Sequence, residues 1–253
     1  MFIVDAPVVH IQELDNNIYL QKIYCPQISH IIKPGQFLNV KVSDGNFPLL
    51  RRPFSVCDVQ GDHLFLMFNI FGEGTRLLAN RQPGSKINLL GPLGNGFSTE
   101  GDFDTAVIVA GGLGAAPFPY LTKMFGHKKN IITFIGGRSK HEIITYGMQN
   151  VQIATDDGSK GFKGTVVSLF ESKFSSFENT SIRVFGCGPT PMLKALSSFC
   201  KSRNIQCEIS TECAMACGFG ICMGCPVQSA VNQNQYLLVC KDGPVFNIND
   251  IIL

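Results

Sequence analysis

The strongest constraint on the fold is an alternation of apolar strands and helical segments between residues 105 and 210. The run TAVIVAGG is apolar throughout, as expected of a parallel strand buried on both faces of a sheet. Later strands are predicted at IITFIGG, VQIATDDG, SIRVFGCG and QCEIST, with helices at APFPYLTKMF, SKHEII, TVVSLFESKF and TPMLKALSSFCKSR. Five strands joined by helical crossovers predict a doubly wound parallel α/β domain over residues 99–209.

Residues 1–98 follow a different pattern and are predicted to be all-β. Short strands are predicted at GQFLNVKV, RRPFSVCDV, HLFLMFNIF and SKINLLGPL, separated by turns rich in Gly, Pro and Asp. This spacing is typical of a closed antiparallel barrel or a sandwich. One helix is predicted within this region, at residues 74–81.

The last segment, residues 210–253, is too short and polar to build an apolar core of its own. It contains Cys217, Cys222, Cys225 and Cys240, in the pattern C-x4-C-x2-C-x14-C. That spacing is typical of a plant-type [2Fe–2S] site, whereas a four-cysteine zinc site more often has two C-x2-C pairs. We therefore expect a small iron–sulfur domain, with zinc as the alternative, and we expect Cys213 to be a free thiol outside the site.

Composition limits the function classes. The formal charge is +2 and no long run of Lys or Arg is present, which argues against nucleic-acid binding. We find neither a secretory signal nor an apolar stretch long enough to cross a membrane, so a cytoplasmic protein is expected. Ten cysteines in a reducing compartment indicate metal or redox chemistry more than disulfides.

Two glycine-rich strand-to-helix turns indicate a dinucleotide site. The first contains Gly111, Gly112 and Gly114, and the second contains Cys187 within GCGP before a helix capped by Thr190 with Pro191 first. Such turns let a diphosphate approach the backbone at a helix N-terminus. Cys187 is either a buried structural thiol or a neighbour of the nicotinamide. Arg138, at the end of the second strand, leaves NAD and NADP both open.

The β domain carries two further signals for a diphosphate. Arg52 and Ser55, in RRPFS, combine a guanidinium and a hydroxyl close together in sequence. Gly74 and Thr75 lie in GEGT, which leads into the predicted helix. The two motifs precede a nucleotide domain, and together they indicate a second nucleotide cofactor.

The order R-x-x-S, G-x-G-T, G-G-x-G-x-x-P and C-G-P-x-P-M resembles the ferredoxin–NADP reductase superfamily. With GPLGNGF, ACGFGICMGC and VCKDGPVF added, the whole chain resembles the electron-transfer subunits of class 1B dihydroorotate dehydrogenases. The resemblance implies three domains: an FAD-binding barrel at 1–98, an NAD-binding α/β domain at 99–209 and a [2Fe–2S] domain at 210–253.

The resemblance also implies site residues. It places FAD against Arg52, Pro53, Phe54, Ser55, Asn69, Ile70, Phe71, Gly74 and Thr75. It places NAD against Gly111, Gly112, Gly114 and Cys187, and the cluster on Cys217, Cys222, Cys225 and Cys240. The family often has Arg at the position of Asn69 and a polar residue at that of Phe71, so the backbone rather than the side chain is expected to contact FAD there.

The implied function is electron transfer in pyrimidine biosynthesis. An FMN-containing catalytic subunit would oxidise (S)-dihydroorotate, and electrons would pass through the cluster and FAD to NAD⁺, in a complex with two copies of each subunit. One alternative is the flavin subunit of an NADH-dependent ferredoxin–NADP oxidoreductase or a hydrogenase. The other is a zinc-stabilised module that binds a dinucleotide without catalysis.

Overall fold

The N-terminal region forms a closed, six-stranded antiparallel barrel in a computed structural model that describes residues 1–15 and 17–253. Its strands are β1 (Phe2–Asp15), β2 (Ile18–Tyr24), β3 (Phe37–Lys41), β4 (Arg52–Gln60), β5 (His63–Asn69) and β6 (Lys86–Leu93). Their order around the barrel is β1-β2-β5-β4-β3-β6. The barrel, not the sandwich, is therefore the form that the short strands adopt.

Alternation along the strands fills the barrel. Leu38 and Val40 of β3 pack in the same apolar cluster as Leu64 and Leu66 of β5, all with no exposed surface. Residues between them, such as Asn39, point out of the barrel. Two short helices, α1 (Pro26–Ser29) and α2 (Glu73–Ala79), complete this region, and α2 lies close to the predicted 74–81.

The predicted parallel α/β domain is confirmed. Its strands are β7 (Thr105–Gly111), β8 (Asn130–Gly137), β9 (Val151–Thr155), β10 (Phe162–Lys163), β11 (Ile182–Cys187) and β12 (Cys207–Ser210). Its helices are α3 (Phe118–Phe125), α4 (Val166–Lys173) and α5 (Thr190–Ser202). Helix α3 packs on one face of the sheet, and α4 and α5 pack on the other. No helix among the described residues has the length and apolar character needed to cross a membrane.

Two local predictions in this domain were wrong. SKHEII does not begin an α-helix, because only Lys140–Glu142 form a single 3₁₀ turn before the chain becomes extended at Ile143. Helix α5 begins at Thr190, directly after Pro189, so Thr190 is its first residue rather than its cap. In both places the sequence correctly placed a turn after the strand, but it did not determine how many residues became helical or at which residue the helix began.

The C-terminal segment adds four strands, β13 (Pro226–Ser229), β14 (Tyr236–Leu238), β15 (Val245–Asn247) and β16 (Ile251–Ile252). Three of them form a small sheet in the order β14-β13-β16. Strand β15 instead pairs antiparallel with β12, so the large sheet has seven strands in the order β10-β9-β8-β7-β11-β12-β15. The sequence predicted only five strands, because β10 has two exposed residues and β15 lies far along the chain.

The C-terminal segment has no core of its own, as its composition predicted. Cys225, Val239 and Cys240 belong to the same apolar cluster as Val107 and Val184 of the large sheet. The packing that holds the cysteines in place is therefore supplied by the nucleotide domain.

Phe185 joins the barrel to the α/β domain. Its ring lies 5.8 Å from that of Phe97, which follows the barrel, and 5.4 Å from that of Phe125 on α3. We expect Phe185→Ala to lower the free energy of unfolding by about 3–5 kcal/mol, because it removes a fully buried ring. The control Phe162→Ala, at a side chain that is 39% exposed, should change it little. Denaturant unfolding measures both, and equal effects would contradict the assignment.

Candidate functional site

A cavity of about 250 Å³ lies where the three parts of the chain meet; we call it the central cavity. The barrel contributes Pro53, Phe54, Ser55, Asn69 and Thr75 to its wall, among others. The α/β domain contributes Leu113, Pro117 and Cys187, and the C-terminal segment contributes Thr211, Glu212, Cys213 and Met215. The structure therefore brings together, around one space, residues that the sequence places in three separate predicted domains.

Five of the nine residues expected at FAD line this cavity, and the other four lie beside it or outside. Arg52 lies against helix α2, where a methyl group on Gly74 would come within 3.5 Å of its Nε. Ile70 accepts a hydrogen bond from Asn17 through its carbonyl oxygen, and Phe71 is 92% exposed. An exposed Phe71 is consistent with the expectation that only its backbone contacts a cofactor.

The hydroxyl of Thr75 shapes the turn before α2. Its Oγ1 accepts hydrogen bonds from the N–H groups of Phe71, at 2.9 Å, and Gly72, at 3.2 Å. The hydroxyl itself donates to the carbonyl oxygen of Gly72 at 3.1 Å. Thr75 therefore fixes the backbone that leads into the helix, while its side chain also reaches the cavity wall.

A second space, of about 600 Å³, lies at the carboxyl ends of β7, β8 and β9; we call it the nucleotide cleft. Gly111 and Gly112 line it, and it shares Asn69 and Leu113 with the central cavity. Gly114 has a packing role, since a methyl group there would lie 2.4 Å from the carbonyl oxygen of Cys187. Ligands of open α/β sheets bind at this edge, so the position predicted from the glycine turns is a suitable one.

Cys187 lies in the wall of the central cavity and is only 3% exposed. Burial, and then the nearby charge of Glu212, raise the pKa of its thiol to about 12. The thiol therefore stays protonated at neutral pH. Its burial fits a structural thiol, and it lines the central cavity but not the nucleotide cleft, so its place beside a nicotinamide stays a prediction.

Three charged residues lie together in the nucleotide cleft. Glu142 accepts hydrogen bonds from the backbone N–H of Arg138 at 3.0 Å and from its Nε at 2.7 Å. Asp156, at the end of β9, lines the same cleft. Glu142, and to a lesser extent Asp156, raise the pKa of Arg138, while Arg138 lowers that of Glu142. Arg138, whose position in the sequence did not settle the choice between NAD and NADP, is therefore already paired with the carboxylate of Glu142.

The four cysteines of the predicted cluster fall into two pairs. The Sγ atoms of Cys225 and Cys240 are 3.2 Å apart, and both residues are buried. Cys217 Sγ accepts a hydrogen bond from the N–H of Cys222 at 3.4 Å and from that of Phe219 at 3.5 Å. The pairs face each other closely enough for the charge of Cys217 to raise the pKa of Cys240, after burial and Cys225.

This paired arrangement fits a two-iron cluster. A tetrahedral zinc ion needs four ligands around a single point, whereas a [2Fe–2S] cluster takes two ligands on each of two irons. The donor set and its pairing therefore fit the iron–sulfur cluster.

The backbone of the loop prepares Cys217 for a metal. Partial desolvation opposes its ionisation, but the N–H groups of Cys222, Phe219 and Ile221, together with the thiol of Cys222, outweigh this and lower its pKa to about 6. A thiolate is the form that binds iron, so this lowered pKa suits Cys217 to the predicted ligand role. Cys213 lines the central cavity instead, and its Sγ contacts the carbonyl oxygen of Ala214.

Sequence reasoning missed several residues of these sites. Asp156 had a signal, because an acidic residue directly follows the third strand, but only the second strand was considered for this role. Glu212 and Met215 gave no signal beyond their closeness to the cysteines. Asn39, which contacts the cysteine loop from the barrel, is 178 residues away from it in sequence, and its role is visible only in three dimensions.

Comparison with known proteins agrees with this geometry. Residues 212–252 match the family described as the iron–sulfur cluster binding domain of dihydroorotate dehydrogenase B. A protein of Bacillus velezensis, the electron transfer subunit of dihydroorotate dehydrogenase B (NAD(+)), is 37% identical over 252 residues, which cover 95% of each chain.

Two solved structures share the fold. The first is an NADH-dependent reduced ferredoxin–NADP oxidoreductase, with a TM-score of 0.86, 24% identity, and coverage of 98% of this chain and 90% of that one. The second is a ferredoxin–NADP⁺ reductase of Neisseria gonorrhoeae with bound FAD and NADP, with a TM-score of 0.64 and 19% identity, covering 80% of this chain and 91% of that one. At these identities the likeness shows the fold alone.

The fold and the cysteine segment define the class: a ferredoxin–NADP reductase fold that carries a C-terminal iron–sulfur segment. Within that class, the chain belongs to the family of electron transfer subunits of dihydroorotate dehydrogenase B (NAD(+)). The alternative of a ferredoxin–NADP oxidoreductase subunit has the shared fold in its favour but no comparable sequence identity.

Gly218 and Gly224 provide a matched test of the loop. Gly218 has φ of +81°, and a methyl group there would lie 2.4 Å from Nδ2 of Asn39. We expect Gly218→Ala to cost about 1–2 kcal/mol for its backbone alone and to reduce the iron bound per chain. At Gly224 the nearest atom to such a methyl group is Cys222 Sγ, at 3.5 Å, so Gly224→Ala should keep the iron. Iron analysis decides, and equal iron in both variants would contradict the prediction.

Proposed function

We propose that this chain receives electrons from a partner subunit that oxidises (S)-dihydroorotate and delivers them to NAD⁺. In this proposal Cys217, Cys222, Cys225 and Cys240 hold a [2Fe–2S] cluster, the central cavity holds the ring system of FAD, and the nucleotide cleft holds NAD. The family to which the chain belongs supports the overall reaction, since its members are named for electron transfer to NAD(+).

The single observation that carries the proposal is the composition of the central cavity wall. Asn69 and Leu113 belong both to this wall and to the nucleotide cleft, so a ring in the cavity would border the nicotinamide site. On another side, Cys213 and Met215 connect the wall to Cys217 of the cysteine loop. One space therefore borders both the proposed entry and the proposed exit of electrons.

The residues around this space would bind and orient the cofactors. Arg52 and Ser55 would hold the FAD diphosphate together with the turn at Gly74 and Thr75, and Pro53, Phe54 and Asn69 would border its ring. Ile70 and Phe71 would contribute backbone. Mostly apolar walls, including Phe37, Met67 and Leu113, would exclude water from the ring.

A flavin accepts electrons singly and releases two as hydride, while an iron–sulfur cluster carries one at a time. The chain would place the flavin site and the iron–sulfur site next to each other, because residues of the cysteine segment line part of the central cavity. We found no residue pattern of this chain that would bind orotate, so oxidation of dihydroorotate is assigned to the partner.

The partner would dock on the exposed side of the cysteine loop. There Ile221 is 75% exposed, Met223 is 62% exposed and Phe219 is 37% exposed, around the exposed Cys222. These three exposed apolar side chains surround the point where electrons would enter the chain, and an exposed apolar patch is suited to contact with another protein. We propose that the partner carries FMN, that the complex contains two copies of each subunit, and that it works in the cytoplasm.

Reconstitution of the complex tests the proposal. The chain is purified with its partner, and reduction of NAD⁺ is measured with dihydroorotate as the only electron donor. We expect Cys222→Ser to abolish the cluster and to uncouple the two half-reactions, while NADH oxidation by the flavin with an artificial acceptor continues. A complex that forms but reduces only ferredoxin would support the ferredoxin–NADP oxidoreductase alternative instead.

Cys213→Ser is the matched control for Cys222→Ser. Both thiols lie in the same segment, but Cys213 lines the central cavity and lies outside the C-x4-C-x2-C-x14-C pattern. We expect this variant to retain iron and coupling. Loss of iron from the Cys213 variant, with retention in the Cys222 variant, would overturn the ligand assignment.

The nucleotide cleft favours NAD over NADP on electrostatic grounds. The 2′-phosphate of NADP carries negative charge and would face Glu142 and Asp156, while Arg138 is already paired with Glu142 at 2.6 Å. A bound 2′-phosphate would have to compete with that carboxylate for the guanidinium. NAD, which has only a ribose hydroxyl at this position, meets no such repulsion.

We therefore expect Glu142→Gln combined with Asp156→Ser to raise kcat/KM for NADPH relative to NADH about tenfold, which corresponds to roughly 1.4 kcal/mol, because the variant removes two carboxylates from the cleft and frees Arg138. The assay is reduction of an artificial acceptor by the purified, flavin-loaded chain. Glu171→Gln combined with Glu178→Gln, at two exposed positions outside the cleft, is the charge-matched control and should leave the ratio unchanged. An unchanged ratio in the double variant would place the specificity elsewhere.

A further inference from the structure

Two asparagines at the barrel end hold the cysteine segment through its backbone carbonyls. Nδ2 of Asn39 donates to the carbonyl oxygen of Cys217 at 3.1 Å. Nδ2 of Asn95 donates to that of Asp242 at 2.9 Å, two residues beyond Cys240. Each half of the paired cysteines is therefore tied to the barrel by one amide. Asn95 is exposed, whereas Asn39 has no exposed surface, so Asn39 is the contact that water cannot replace.

The strand pattern directs Asn39 toward the cysteine loop. Its neighbours Leu38 and Val40 point into the barrel core, so the side chain of Asn39 points outward from β3. Asn39 is fully buried on that outward face, and a buried polar side chain normally needs a hydrogen-bond partner. The partner that explains it is the loop that begins at Cys217.

The contact is close and has one orientation. A methyl group on Gly218 would lie 2.4 Å from Nδ2 of Asn39, so the glycine backbone rests directly on the amide. Reversing the amide would set its oxygen against the carbonyl oxygen of Cys217, which also accepts. Oδ1 of Asn39 has no hydrogen-bond partner among the described residues, so the bond from Nδ2 to Cys217 is the one that its side-chain amide makes.

Arg51 fixes the backbone behind Asn39. Pro53 stands opposite Asn39 in the β3–β4 pair and has no N–H to donate. Nη1 of Arg51 donates instead to the carbonyl oxygens of Asn39 and Asn88, both at 3.1 Å. Asn88 in turn donates to Asp5 Oδ1 at 2.6 Å. A chain of polar side chains thus connects β1 and β6 to Asn39 and so to the cysteine loop.

We propose that Asn39 is a positioning residue for the iron–sulfur cluster: its amide holds the backbone of Cys217 and Gly218 against the barrel and so fixes the cluster relative to the flavin site. The inference rests on the proposed function. It adds a role for a barrel residue that touches no cofactor and acts only through the loop.

The test compares Asn39→Leu, which has a similar size but no donor, with the wild-type chain and with Asn130→Leu. Asn130 lies on β8, where its Nδ2 contacts Thr105 Oγ1 at 3.4 Å, remote from the cysteines. Each purified, FAD-containing chain is exposed to a chelator in air, and the decay of the cluster absorption is followed. We expect Asn39→Leu to lose its cluster about fivefold faster, the factor that one hydrogen bond gives, and Asn130→Leu to match the wild type.

A second variant tests the distance to the cluster. In Asn39→Asp a carboxyl group replaces the amide, and burial raises its pKa, so its negative charge develops only as the pH is raised. We expect the midpoint potential, in redox titrations followed by electron paramagnetic resonance at about pH 7 and about pH 9, to fall with pH more in this variant than in the wild type or Asn39→Leu, because the charge disfavours the more negative, reduced cluster. A pH dependence equal to that of the wild type would place Asn39 away from the cluster and would overturn the inference.

The outcomes separate this inference from the proposed function. A wild-type chain that binds no iron–sulfur cluster defeats both. A wild-type chain with a cluster, together with an Asn39→Leu variant that keeps it equally long, defeats only the inference. Retention of FAD shows that the barrel of each variant has folded, and Asn39→Ser, with its smaller side chain, takes the place of Asn39→Leu if that variant loses FAD.

Discussion

The packing of the cysteine segment against the parallel sheet is the interaction on which the rest of the arrangement depends. Residues 210–253 are too few to bury a core, and the structure places Val239, Cys225 and Cys240 in the same apolar cluster as the centre of the large sheet. The sequence indicated that this segment could not build an apolar core of its own and that something else must hold it together. The shared core means that the polypeptide itself positions Cys225 and Cys240, two of the four proposed ligands.

Two cysteines show how differently this fold treats the same side chain. Cys187 is surrounded by apolar groups and lies near Glu212, and its pKa rises to about 12. Cys217 receives backbone N–H groups from its own loop, and its pKa falls to about 6. The glycine-rich loop leaves these N–H groups free to point at sulfur, and together with the thiol of Cys222 they lower the pKa of Cys217 without any basic side chain.

The sequence was sufficient where a local pattern determines the structure. The apolar runs predicted the parallel strands, the turn residues predicted the barrel strands, and the cysteine spacing predicted the iron–sulfur segment that the family comparison supports. It was insufficient where contacts join distant parts of the chain. Strand β15 has three residues and is defined by its pairing with β12, and Asn39 has the appearance of an ordinary strand residue. The helix predicted at SKHEII was wrong for another reason: a short helical signal does not distinguish the single 3₁₀ turn at Lys140–Glu142 from a longer helix.

Strand β15 has a consequence for how such a chain would conduct electrons. It lies between the last cysteine and the C-terminus and is inserted into the edge of the nucleotide-binding sheet, so the segment on either side of it cannot swing away without breaking that sheet. Many electron carriers travel between donor and acceptor on a mobile domain. In the proposed function this pairing fixes the cysteine segment to the α/β domain, so the fold itself would set the distance between the cluster and the central cavity. The only variable gap in the route would be the one between this chain and its partner.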